Sequence, residues 1–125
     1  VESWNGEVVY LLSSGVVELW DCGGVELCIC DIVDVWSGGA VVLRSCGVVE
    51  VWVSGIVELW RCTCAKVYIC VFVYVCSCIC VDLYICGVMV LYGCGVVDLC
   101  SCVVVKLWSC GVVELWSCGV VELCS

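Results

Sequence analysis

Apolar and polar positions recur along this chain in blocks of eight, and the blocks align from end to end without an insertion or deletion. The consensus block is Gly-Val-Val-Glu-Leu-Trp-Ser-Cys, opening at positions such as Gly15, Gly47, Gly55, Gly95, Gly111 and Gly119. Blocks that open on Asp31, Thr63, Val71, Ile79 and Val103 keep the same phase. Val-Val-Glu-Leu-Trp alternates with period two and is rich in strand-favouring side chains, which predicts a short strand. Ser-Cys-Gly predicts the turn, with Gly expected to supply a left-handed conformation. Eight is an even number, so an extended chain keeps each column on one face through every block. A helix would rotate the columns by roughly 80° per block, so no stripe would persist.

The odd positions place Val and Leu in their two central columns, interrupted only by Ser3, Ala65 and Met89. The even positions place an acid at the centre of most strands, for example Glu18, Glu26, Asp34, Glu50, Glu58, Asp82, Asp98 and Glu114. Burying such a column unpaired would cost several kcal/mol per group. The odd face is therefore expected to form the core, with Trp, Glu and most Cys facing outward or into a second layer. Stacked acids one strand apart would repel by roughly 0.9 kcal/mol per neighbouring pair in water.

These columns predict an all-β chain, 1–125, forming a single gapless octapeptide-repeat array. A two-sided β-solenoid with about sixteen residues per coil is favoured over an antiparallel β-meander, because identical units stack naturally in a one-dimensional array. That coil would align Cys70, Cys86, Cys102 and Cys118 along one edge. Cys30, Cys46, Cys62, Cys78, Cys94 and Cys110 would align along the other. Neighbours in either column would stand about 4.8 Å apart, so oxidation should join residues sixteen apart. Both ends of the array would be Val-rich edges without a polar cap, so self-association is expected.

Composition narrows the partners. The chain is 66% hydrophobic and carries a net charge of −9, with only Arg44, Arg61, Lys66 and Lys106 positive. No nucleic acid is expected as a partner, because phosphates need a basic surface. The stretch around 67–97 carries one charge, Asp82, so a membrane-inserted segment is energetically possible there. The strand-type composition and the unbroken octad phase make it the less favoured reading. No secretory signal is expected, since the N-terminus carries Glu2 and Glu7 and an apolar run of only Val8 to Leu12.

The chemistry-bearing residues repeat rather than converge. Cys-x-Cys occurs at Cys28/Cys30, Cys62/Cys64 and Cys100/Cys102, and doubled at Cys76, Cys78 and Cys80. In a strand such pairs would face one side about 7 Å apart, a spacing that suits zinc or copper(I). The spacing resembles that of metallothioneins, but the surrounding Val, Ile and aromatic residues do not. Acid catalysis needs two carboxylates in different environments, and these acids sit in equivalent ones. The chain has no His for a triad. No catalytic, cofactor-binding or metal-binding residue, no small-molecule substrate and no enzymatic activity are expected. Ice binding by a flat repetitive surface is discounted too: some Cys-bearing β-solenoid antifreeze proteins have short repeats, but their rows of Thr are missing, Thr63 being alone.

The genetic code adds a different clue. Pro, His and Gln are absent, and Ala40, Ala65 and Thr63 are the sole residues of their types. Every codon for those five amino acids contains cytosine. The sixth column mixes Trp, Cys, Tyr, Arg44 and Leu12, which are chemically unlike but linked by single-base steps. A column selected for packing varies by volume and polarity instead. The leading expectation is therefore a translated, cytosine-poor tandem repeat of 24 bases with no selected biochemical function. The first alternative is a Cys-rich structural or self-assembling β-repeat protein, and the second is the membrane-inserted segment.

Overall fold

A computed structural model describes residues 2–3 and 8–124, without the side chains of 2, 3, 14 and 124. Val1, Trp4 and Glu7, which extend the octad phase to the N-terminus, lie outside them. The strands are β1 (Glu2–Ser3), β2 (Val8–Leu19), β3 (Cys22–Cys76), β4 (Cys80–Tyr92), β5 (Val96–Trp108) and β6 (Val112–Cys124). Every pairing between them is parallel, in the order β1-β2-β3-β4-β5-β6. The register is sixteen residues throughout, as in Glu2↔Glu18, Leu19↔Val35, Leu83↔Leu99 and Leu99↔Leu115. The chain is a two-sided β-solenoid of about seven coils. Parallel in-register pairing rules out the meander. The 55-residue β3 is not one straight strand but several coils whose corners keep extended geometry.

Alternate octads fall on opposite sides of the coil. Face A carries 16–20, 32–36 and onward to 112–116; face B carries 8–12, 24–28 and onward to 120–124. Between them the third and fifth columns meet in the core. Val17, Leu19, Leu27, Val49, Leu83 and Leu99 are fully buried. Each such Val or Leu gains about 1.5–3 kcal/mol from leaving water.

Two expectations about the corners are corrected. The eighth-column cysteines do not share the outer face with Trp and Glu. Cys22, Cys30, Cys46, Cys62, Cys70, Cys78, Cys86, Cys94 and Cys102 are buried. The reason is that strict alternation fails at the corner. The sixth and seventh positions both face out, as do the first and second, so the eighth turns inward and fills the apex. Ser54 occupies the same buried column, and its hydroxyl donates to the Ile56 carbonyl at 3.4 Å.

The glycine column also differs in role. Positive φ occurs two positions earlier, at Ser77 (53°), Gly93 (60°) and Ser109 (55°). The first-column glycines serve close stacking instead. A Cβ at Gly95 would stand 2.7 Å from the Ile79 carbonyl oxygen, and one at Gly111 would stand 2.7 Å from that of Gly95. Corner amides continue the ladder between coils, Gly95 N–H donating to Cys78 O at 3.0 Å and Gly111 N–H to Cys94 O at 2.9 Å.

Residues 67–97 are wound into β3, β4 and the start of β5. Among the described residues no helix is long and apolar enough to cross a membrane.

Candidate functional site

Sixteen-residue stacking turns each column into a ladder of like side chains, and the two faces differ. The fourth column of face A reads Glu18, Asp34, Glu50, Lys66, Asp82, Asp98, Glu114. That of face B reads Tyr10, Glu26, Val42, Glu58, Tyr74, Val90, Lys106, Glu122, so no two acids are neighbours there. The sixth column behaves likewise. Face A stacks Trp20 on Trp36 and Trp36 on Trp52, each at 4.9 Å and nearly parallel. Tyr68 and Tyr84 continue the row edge-on, at 4.1 and 4.8 Å. Face B mixes Cys28, Arg44, Trp60, Cys76, Tyr92 and Trp108. Acids and aromatics thus run side by side along one face. The Trp side chains lie outside, as expected, but only their edges are free where they stack; Trp36 is 36% exposed and the terminal Trp116 74%.

Face A has one defect. Cys100 stands where the ladder calls for a ring, between Tyr84 and Trp116. The missing side chain leaves a notch of about 180 Å³, lined by Asp82, Tyr84, Asp98, Cys100, Glu114 and Trp116 with Leu83 at its base. One carboxylate oxygen of Asp98, Oδ1, is buried away from the opening. The three carboxylates feel one another. Burial, then a hydrogen bond and the charge of Asp98, hold the Asp82 carboxyl above its ordinary value, against the pull of Lys66. A hydrogen bond with Asp98, then its charge, does the same to Glu114.

The thiols form two inner ladders. Cys70↔Cys86↔Cys102↔Cys118 are in register along one corner. Along the other, hydrogen bonds with Cys46 and Cys78, reinforced by burial, push the Cys62 thiol far up, while the same bonds lower Cys46 and Cys78. Burial raises Cys94 to about 12. The raised thiols, Cys62 and Cys94, are poor nucleophiles and poor metal ligands at neutral pH.

The Cys-x-Cys pairs do not share a side: Cys30, Cys62, Cys78 and Cys102 point inward, while Cys28, Cys64, Cys76, Cys80 and Cys100 are only half-buried. The corner separates them, so the spacing read as a chelating pair is not one. Among the described residues no group of three or more His, Cys, Asp or Glu is placed to hold a metal ion.

One thiol pair was hidden from an octad reading. Cys64 and Cys80 stack in register on face A, both half-buried. Burial and the neighbouring Cys64 raise the Cys80 thiol, which slows but does not block exchange. Under oxidised glutathione, Cys64–Cys80 should close first, the buried ladders following only after coils open. Peptide mapping checks this; a first disulfide between residues not sixteen apart would contradict the stacking.

These features define a parallel β-solenoid repeat protein with chemically distinct faces. No known protein family, curated protein or solved structure matches the chain.

Proposed function

We propose that this chain is a Cys-rich structural protein that assembles end to end into a longer solenoid and has no enzymatic activity. The observation that carries the reading is the register: every pairing stacks like columns sixteen residues apart, so each coil presents the surface that the next one covers. On β6 that surface includes Leu115, 39% exposed, and Leu123, 72% exposed. The first coil supplies the missing layer. Glu2 and Glu114 are 112 positions apart, as are Val9 and Val121 and Leu11 and Leu123; 112 is seven sixteens. A second copy can therefore continue every column and the β6 ladder without a change of register. Parallel strand edges are templates for such addition.

A second reading, a translated repeat without selected function, draws support from the outer columns, which vary by nucleotide distance. The inner columns weigh against it. The inward Val column departs from Val only at Ala65 and Met89. The outward Val column has the same consensus residue, yet it takes Gly24, Ala40, Cys64, Phe72 and Cys80 as well as Ile. Equal mutational access with unequal outcome is the mark of a packing constraint. Peptides from the native source would favour the structural reading, and their consistent absence the other.

Assembly is tested at the ends. The unmodified chain should elongate with concentration, as read by light scattering and electron microscopy. Leu115→Lys with Leu123→Lys puts charges on the surface to be buried and should raise the assembly concentration at least about tenfold. Circular dichroism should stay β-type. Unchanged elongation of this variant would refute end-to-end stacking.

A further inference from the structure

We propose that the notch at Cys100 binds a small planar organic cation, an amidinium or guanidinium carried on a flat ring. The first argument is spacing. Tyr84 and Trp116 lie two rungs apart, about 9.6 Å. A flat group at the empty rung would stand about 4.8 Å from each, within the range of favourable ring contacts. That is the interval the intact ladder already uses between Trp20 and Trp36, 4.9 Å. The ligand would take the place of the missing ring.

Charge selects the kind of flat group. Asp82, Asp98 and Glu114 line the notch, and no Lys or Arg does. The nearest cation in their column is Lys66, beyond Asp82. A cation there gains from three carboxylates at once and lies beside the rings of Tyr84 and Trp116. Hydrogen bonding selects further. The carboxylates of Asp82, Asp98 and Glu114 line the notch, and amidinium N–H groups can donate charge-assisted bonds to such carboxylates. An ammonium lacks the flat face, and a neutral ring lacks the charge.

Size and geometry exclude the obvious competitors. About 180 Å³ holds one substituted ring but not a fused polycycle. A divalent metal ion wants converging oxygens, whereas these carboxylates stand in a row at rung spacing and form no metal-holding group. The notch opens sideways on face A, so it does not depend on the ends of the array.

Benzamidinium is the probe, with neutral benzamide as its shape control. Titration calorimetry on the full chain at fixed ionic strength should give one site per chain, with benzamide at least about tenfold weaker. Cys100→Trp restores the column's consensus ring and should abolish binding while the chain melts no lower than before. Asp98→Asn keeps the shape and should weaken binding about tenfold. The proposal fails if Cys100→Trp binds benzamidinium as the parent does, since the ligand then sits elsewhere on the face. It fails equally if benzamide binds as tightly, or if several equal sites per chain appear.

Discussion

Lowering the pH from neutral is expected to stabilise the coils and promote their assembly, the reverse of ordinary acid denaturation. The cause is the acid ladder of face A, which Lys66 divides into Glu18–Asp34–Glu50 and Asp82–Asp98–Glu114. Stacking holds the Asp82 carboxyl above its ordinary value of 3.8, through burial first and then Asp98. It holds Glu114 above 4.5, through its hydrogen bond with Asp98 and then that residue's charge. A raised carboxyl binds more protons in the folded state than in the unfolded one. Stability therefore rises as pH falls through the raised values, and the gain is complete below the ordinary ones. Above that window the charged ladder is penalised in full. Protonation also reduces the net charge of −9, which keeps chain ends apart at neutral pH.

Asp82→Asn, Asp98→Asn and Glu114→Gln together should remove most of the pH dependence. Glu26→Gln and Glu58→Gln should change little. Glu26 is paired with Arg44 at 3.5 Å, and Glu58 is stacked between Val42 and Tyr74. Thermal melts and light scattering between pH 7 and pH 4 read both effects. Dissolution of the coils by acid would contradict the stacked-acid account.

Much of this architecture was legible in the sequence because the repeat has no gaps. An unbroken octad fixes which columns stack, and the acids in the even columns assign the core to Val17, Leu19 and their equivalents. Even the coil length was readable, because a two-sided coil takes two octads, or sixteen residues, per turn. What failed was parity at the corner. Period-two reasoning holds along a strand, but at the corner the sixth and seventh positions both face out and the eighth turns inward, at corners with a positive φ such as that of Ser77 and at corners without one such as that before Cys46. That misplaced the eighth-column cysteines and credited the turn to the wrong glycines.

The notch was missed for a different reason. In steps of eight the sixth column is mixed, and Cys100 is one cysteine among Cys28, Cys76 and Cys124. In steps of sixteen it is the single non-aromatic residue between Trp20 and Trp116. The same step gathers most fourth-column acids onto face A, leaving Glu26, Glu58 and Glu122 on face B. The physical unit is the coil, and the octad is half of it.

The inner columns carry the second large effect. Leu83→Ala should cost about 2–5 kcal/mol, because Leu83 is fully buried and stacked in register between Val67 and Leu99. Neighbours held by a continuous ladder cannot collapse into the space. In a one-dimensional array the loss should also stay local. Amide exchange should quicken in the coils around Val67, Leu83 and Leu99, while those carrying Val17 to Val35 keep their protection. Adjacent valines supply the control. Val49 is fully buried and Val48 is 46% exposed, so one substitution can be made on both sides of the same strand. Val49→Ala should cost about 2 kcal/mol and Val48→Ala less than about 0.5 kcal/mol. Denaturant unfolding measures the pair. Equal costs would mean that the two Val columns do not differ in burial, and the core assignment would fall with them. Unequal costs would explain why one Val column has stayed Val through the repeats while its outward neighbour has drifted.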